Sequence, residues 1–569
     1  MNNRPQFSLT VSFITALFIG FLWFVFGIHS ETLDEGYKSS WLRGVFTQNP
    51  INDFFIFYLG LIKGLNRLYA MYPQVHWVYK LLQIQLFFSY CIFMGVFYPA
   101  LIFRNVSRNT ALISCCLVLG VFLAPHLVIM TMSRVALISA GLSMFALLLA
   151  FNIKLKPNLL FYLTTLLACL VIIIAMLLRF EVVFVTALLF IIFSIFLFSN
   201  AGAFLKFWLT LSLLLPLPVL YMHYDQHPDK ENFQMVEKLV LQQDDMYINS
   251  VYRFSSPEDS MRMIALREWF FVDRNQINKQ FVQKYTLSDK SAIFSSLRNW
   301  TYKLNFQLPV IKDFIAKYDF LLLWHLLALI ALLVLYKENS GIAIPPFLFF
   351  VSFWIAMLII GVVVKFEHRH TAPWTSLGAI CLLLIILPSL LRLKTASSLA
   401  VILLVLTLGS FVFTMHVLKE YASAKKSEEQ YFSRYRSNVL EMAKKNIVVL
   451  DLWAMIDYTF TDNCTVISKV PYPRILNYDS GYGNTYEPIR NEWKNLTGGD
   501  DAASFYKYLL VRKDSVKIIS SPDRIKLMQN YLHVLYNMDV SFAEEPGKDW
   551  LKPTAKKGRW IELKVYHLL

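Results

Sequence analysis

Long apolar runs separated by short polar breaks set the pattern of this chain. The run Leu160–Leu178 (LFYLTTLLACLVIIIAMLL) carries no charge, and about 20 apolar residues suffice to cross the hydrocarbon of a bilayer as a helix. The pattern predicts about eleven spans, at 8–28, 78–103, 110–130, 136–152, 157–178, 182–199, 207–222, 319–336, 343–364, 374–391 and 397–416. The expected fold class is therefore a polytopic α-helical membrane protein with an inserted region and a C-terminal α/β soluble domain.

The polar regions divide it. Residues 1–222 hold seven spans with a loop at 30–77, residues 223–318 an insertion, 319–416 four more spans, and 417–569 the tail. In the loop, Asn52–Tyr69 repeats Phe, Leu and Ile at helical spacing but is interrupted by Asp53, Lys63 and Arg67. That pattern predicts an amphipathic helix lying in the membrane interface. The insertion reads as mainly helical, for example over Asn232–Gln243, with a break at Tyr252–Pro257. In the tail, a charged helix is expected over 427–445 and strands over 446–451, 465–470, 507–512, 540–542 and 560–566. The stretch Pro471–Asn484 is rich in turn formers.

Charge orients the spans. Arg104 and Arg108, Lys154 and Lys156, Lys206, Lys337, and Arg392 with Lys394 all fall in alternate short links. Basic short links mark the cytoplasmic side, which puts the N-terminus inside. Loop 30–77, Arg134, Arg179 with Glu181, the insertion and residues 367–370 then share the outer face. An odd span count places the tail there too, although the basic run 418–426 weighs against it.

Composition agrees. Of 569 residues, 56% are hydrophobic and 16% charged, with 47 phenylalanines; soluble domains carry about 25% charge. The net charge of +15 belongs to span flanks and anionic headgroups. No basic, aromatic-interleaved groove suggests a nucleic-acid partner. Five of the six cysteines lie in apolar segments and Cys464 stands alone in the tail, so neither a disulfide framework nor a CxxC site is expected. The first span lacks a convincing cleavage site and reads as retained.

The ionisable residues of the outer face are the candidates for chemistry. Glu31, Asp34 and Glu35 form an acidic cluster directly after the first span. A carboxylate there would serve as a general base or orient a metal or an acceptor hydroxyl; the bland alternative is a solvated loop. Arg134 and Arg179 lie on the face that positive-inside statistics disfavour, and an arginine fork suits a phosphate. Snorkelling, or a plain Arg179–Glu181 pair, is the structural alternative. Glu367, His368, Arg369 and His370 form a polar knot offering a second phosphate clamp or a proton-transfer histidine. The alternative there is a solvated link. His126 reads as packed or hydrogen-bonded within the bundle. A divalent cation is compatible with the acids, but no recognised ligand spacing calls for a metal. Walker A, GxGxxG, HExxH, GxSxG and kinase signatures are absent from the sequence.

With many spans, acids close behind the first, an interfacial helix in loop 1 and an outer C-terminal domain, the chain resembles polytopic glycosyltransferases of the GT-C type. The resemblance covers the layout of residues 1–416, without the W-W-D type motif of oligosaccharyltransferases. It implies sugar transfer from a polyprenyl-phosphate carrier to a cell-envelope glycan or lipid, at the outer side of a bacterial inner membrane. By the same resemblance Asp34 or Glu31, with Glu35 beside them, would be the base. Arg134, Arg179 and Arg369 would hold the donor phosphate, supported by Glu181, Glu367, His368 and His370. The alternatives are a transporter or flippase for a polar lipid or anion, an O-antigen-type polymerase or ligase, and a non-catalytic assembly partner.

Overall fold

The computed structural model describes residues 5–30, 59–198, 201–217, 254–268, 275–288, 300–338, 340–363, 367–391, 396–459, 472–477, 487–546 and 559–569, with positions 40, 43, 45, 236, 238, 239, 242, 291, 298, 551 and 554–556 between them. They belong to two compact units. One is Met1–Glu31, Val78–Tyr224 and Leu304–Lys425; the other is Thr32–Trp77, Asp225–Lys303 and Lys426–Leu569.

In chain order the first elements are α1 (Leu9–Phe26), β1 (His29–Ser30), α2 (Leu59–Met71), α3 (Trp77–Phe103), α4 (Arg108–Val128), β2 (Ile129–Met130) and α5 (Met132–Asn152). Then come α6 (Leu159–Leu197), α7 (Ala201–Leu214), α8 (Pro257–Arg267), α9 (Lys279–Tyr285), α10 (Trp300–Glu338), α11 (Ser340–Val363), α12 (His368–Leu390) and α13 (Ala396–Ala443). Among the described residues nine helices are long and apolar enough to cross a bilayer. The chain is a polytopic α-helical membrane protein.

The centre of the first unit is α5, buried around its whole circumference from Met132 to Ala150. A helix apolar on every side belongs inside a bundle. The outer helices instead present apolar side chains outward, among them Phe24, Leu159 and Val412, as a surface solvated by lipid tails requires.

The two spans expected at 157–178 and 182–199 are one 39-residue helix with a non-helical residue inside it, Arg179 (φ −156°, ψ 84°). At 1.5 Å per residue a straight helix of that length would measure about 58 Å, against about 30 Å of hydrocarbon. It therefore breaks midway, and neither proline nor glycine makes the break. Helix α10 does the same at Tyr318 (φ −126°, ψ 26°), ahead of its apolar part, Leu321–Glu338. The described part of the seventh expected span is the shorter α7. Helix α13 runs on from its apolar part through the charged stretch expected to be helical, as far as Ala443.

Helix α4 contains a π-helical turn at Val118–Leu123, followed by Pro125. Two side chains secure the junction. Tyr90 Oη donates to the Leu123 carbonyl (2.9 Å) and Trp23 Nε1 to that of Leu127 (2.9 Å). Gly120 leaves room for Phe411, because a Cβ at this position would press into its ring and force it to move.

Polar contacts gather at the two ends of the bundle. At one end Arg104 donates to the carbonyls of Leu384 (2.9 Å) and Leu197 (3.1 Å), and Asn152 Nδ2 also reaches Leu197 (2.9 Å). At the other, the two-residue strands β1 and β2 pair in parallel, His29 opposite Ile129 and Ser30 opposite Met130.

In the second unit, α2 buries Leu65 and Tyr69 and exposes Lys63, a one-sided pattern as expected; residues 52–58 of the anticipated helix lie outside the described residues. Among its described residues the insertion carries helices and no strand, with turns between them. Val236, Leu239, Met263, Leu266, Ile277, Phe281, Val282 and Tyr285 share a core.

The C-terminal domain comprises β3 (Ile447–Leu450), α14 (Leu452–Thr459), β4 (Ile475–Leu476), α15 (Glu487–Thr497), α16 (Ala502–Leu510), β5 (Val516–Ser520), α17 (Pro522–Tyr536), β6 (Phe542–Glu544), β7 (Thr554–Lys556), β8 (Arg559–Ile561) and β9 (Lys564–Leu568). Its sheet has the order β4-β3-β5-β9-β6. The first three strands are parallel and the last two antiparallel to their neighbours. Asp451 ties the sheet together at the carboxyl ends of β3 and β5. Its carboxylate accepts from Ala454 N (2.7 Å), Ser520 Oγ (2.6 Å) and Ser521 N (3.2 Å).

Two strand expectations in the tail need correction. Residues 507–512 are mostly helix α16, because Ala502, Phe505, Tyr506 and Leu509 are buried at helical spacing. The central strand β5 was missed, and the strand expected at 560–566 divides into β8 and β9. Residues 465–470 lie outside the described residues. Helices α8 and α17 pack together in this unit, where Arg524 Nη1 donates to the Glu268 carbonyl (2.6 Å) at the end of α8. A cation there answers the unpaired carbonyls of a helix C-terminus.

Candidate functional site

The start of α5 is the focus of one end of the bundle. Thr131 caps the helix, its hydroxyl accepting from Arg134 N (3.1 Å). The sequence pattern places Arg134 in a link between spans, but it lies inside the helix, in the first turn, and is fully buried. Its Nη1 donates to His126 Nδ1 (3.1 Å) and its Nη2 to Tyr318 Oη (2.9 Å). Guanidinium only donates, so His126 Nδ1 accepts and the ring proton sits on Nε2, where it bonds Ser376 Oγ (3.0 Å). The histidine is thus hydrogen-bonded within the bundle, as expected. It also fixes the orientation of the arginine.

Arg179 reaches the same turn. Its Nε donates to Ser133 Oγ (3.0 Å) from the break in α6. Among the described residues no ion pair joins it to Glu181, which is exposed, and no hydrogen bond engages its two Nη nitrogens. The Arg179–Glu181 pair offered by the sequence is not formed. A half-buried guanidinium whose Nη donors are unengaged among the described residues therefore lies beside the N-terminus of α5, where the helix dipole also favours negative charge.

Residues 367–370 are part of a helix rather than a solvated link. Glu367 occupies the N-cap position of α12, and its carbonyl accepts from His370 N (2.9 Å) and Thr371 N (2.8 Å). Its carboxylate bonds Arg369 Nε (2.5 Å) and lies 3.7 Å from His370 Nδ1. Arg369 is already answered by a carboxylate and is a weaker anion receptor than Arg179. His368 is buried, and its Nε2 meets Asp313 Oδ2 at 2.8 Å. Its ring lies along those of Phe314 and Tyr318, at centroid distances of 6.0 Å and 6.2 Å.

No family model, curated protein or solved structure matches this chain.

The contacts link Arg134, Arg179, His368 and their neighbours at one end of the bundle. Glu31, Asp34 and Glu35 follow Ser30 in the chain and lie outside the described residues, so β1 is the last described point before them. Sequence reasoning missed Tyr318, Asp313, Ser133 and Ser376. Asp313 and Tyr318 sit at the edge of the insertion in a stretch of mixed polarity, and the serines look like ordinary span residues. Only Asp313, a carboxylate eight residues before an apolar window, carried a readable signal. Among the described residues no three metal-ligating side chains lie together.

Proposed function

We propose that the chain is a membrane glycosyltransferase that moves a sugar from a polyprenyl-phosphate carrier to an envelope glycan or lipid. The supporting observation is Arg179, a guanidinium beside the start of α5 whose Nη donors are unengaged among the described residues. Such a group suits the phosphate of a carrier that cannot leave the bilayer, because that phosphate must be met near headgroup depth. Arg134 adds positive charge from within the bundle. Arg369, offset by Glu367, is a lesser contributor.

In this reading the bond between the anomeric carbon and the carrier phosphate breaks. The electron pair stays on the phosphate oxygen, and the positive cluster stabilises the charge that develops there. An acceptor hydroxyl attacks the anomeric carbon and gives its proton to a carboxylate of the same face, for which loop 1 offers Asp34, Glu31 and Glu35. The eleven-span count follows if α6 is divided at Arg179 and α7 is extended to a full span. The site and tail would then face outward from a bacterial inner membrane, as in enzymes of the GT-C type. A metal ion, if used, would join the loop-1 acids.

The test is transfer from labelled polyprenyl-phosphate sugars in membranes containing wild type, Arg179→Gln, Asp34→Asn or Glu31→Gln at equal protein levels. Transfer by wild type that falls at least tenfold in Arg179→Gln supports the reading. No transfer from any donor removes it and favours a transporter or flippase of an anionic lipid, which would need the same arginine.

A further inference from the structure

The course of α6 brings Arg179 to the start of α5. Arg179 Nε donates to Ser133 Oγ (3.0 Å) in the first turn of α5, while at the far end the Leu197 carbonyl accepts from Asn152 Nδ2 (2.9 Å). The part of α6 that follows its break therefore begins beside the start of α5 and ends beside its end. Two helices open at one place. First-turn amides have no partner within their own helix, and the positive ends of both dipoles favour an anion there.

Ser133 is where they meet, and it is only 4% exposed. Its oxygen accepts the Arg179 Nε hydrogen, which leaves the hydroxyl's own hydrogen to give. Among the described residues nothing accepts it, although buried polar groups are normally answered. A guanidinium presents Nε–H and the neighbouring Nη–H in parallel. With Nε on Ser133 Oγ, an oxygen received by that Nη stands next to Oγ, within reach of the hydroxyl hydrogen. Arg134, the next residue of α5, turns instead to His126 and Tyr318.

We infer that Ser133 is a direct ligand of the carrier phosphate and shares one of its oxygens with Arg179; this rests on the sugar-transfer reading above. That oxygen is the one freed when the sugar leaves. The bond from the anomeric carbon breaks, its electron pair stays on the phosphate oxygen, and the acceptor proton goes to the loop-1 carboxylate as before. Ser133 keeps its own proton and donates a hydrogen bond to the charge that develops. The contact favours a terminal phosphate, with three unsubstituted oxygens, over a phosphodiester headgroup, with two.

The experiment measures binding of sugar-free polyprenyl phosphate, phosphatidylglycerol and inorganic phosphate to the full-length protein in phosphatidylcholine nanodiscs. Transfer from labelled polyprenyl-phosphate sugars is followed in parallel. Ser133→Ala is expected to weaken polyprenyl phosphate about tenfold, the loss of one hydrogen bond to a charged group, and phosphatidylglycerol less than about twofold. Inorganic phosphate should compete only at concentrations at least about 100-fold higher, because it lacks the buried lipid chain. The inference is overturned if Ser133→Ala binds polyprenyl phosphate within about twofold of wild type, less than one such bond is worth. Equal losses for both lipids, as a general disturbance of the bundle would give, overturn it too. So does a wild type that binds inorganic phosphate as tightly as the carrier. A wild type that shows the Ser133-dependent binding but transfers nothing removes the sugar-transfer reading and leaves the phosphate contact standing.

Discussion

Tyr318 accepts a 2.9 Å hydrogen bond from Nη2 of Arg134, and both residues sit where a helix begins or breaks. Arg134 is in the first turn of α5, and Tyr318 is the non-helical residue of α10. The other long helix that breaks, α6, does so at Arg179, which bonds Ser133 in the same first turn. The start of α5 thus holds the two interrupted helices as well as the charges of the candidate site.

Tyr318→Phe removes that acceptor and leaves a buried guanidinium nitrogen short of it. The expected cost is about 1–3 kcal/mol, read as a lower melting temperature of the full chain in detergent. Tyr318→Phe at wild-type stability would show that the bond does not anchor α10.

Arg179 and Arg369 differ in what answers their charge. Arg179→Gln should weaken binding of a polyprenyl phosphate at least tenfold, as expected for losing charge-assisted bonds of about 1.5–3 kcal/mol. Arg369→Gln should change it less than threefold, because Glu367 already engages that guanidinium. Native mass spectrometry of both variants gives the ratio, and equal losses would contradict the ranking.

A side chain at Gly120 is expected to be costly. In Gly120→Ala the new methyl collides with the Phe411 ring, and relieving such overpacking costs about 1–3 kcal/mol. The double variant Gly120→Ala, Phe411→Leu should recover most of the lost thermal stability. Failure to recover would place the cost in the π-helical backbone instead.

Asp259 makes the insertion acid-sensitive. Burial pushes its carboxyl upward, but bonds from Lys284, Tyr285, Ser255 and Arg262 outweigh this and hold it below the usual carboxylate range. The stability it contributes is complete above the ordinary aspartate value of about 3.9. It is lost as pH falls below that value toward the depressed one. Protection factors over Lys279–Tyr285, corrected for the slowing of intrinsic exchange in acid, should therefore fall on acidification in wild type. Asp259→Asn should show a flatter acid response from a lower starting stability.

The sequence by itself determined the membrane character of the chain and most helix positions, because a bilayer demands long uncharged runs with every backbone group bonded internally. It also singled out Arg134, Arg179 and residues 367–370, since ionisable residues stand out against apolar spans. The strand at Ile447–Leu450 was legible from its β-branched run, whereas Val516–Ser520 was hidden by its lysine and Ala502–Leu510 was half misread as strand. Only the tertiary structure decided what the charges do. Arg134 contacts Tyr318 across 184 positions of chain and His368 contacts Asp313 across 55, separations for which no local periodicity carries a signal. The same holds for the arginines: Arg369 is answered by Glu367 while Arg179 is not answered by Glu181, though each pair is two residues apart. On α12 the two side chains share the first turn, but at the break in α6 Arg179 turns instead toward Ser133.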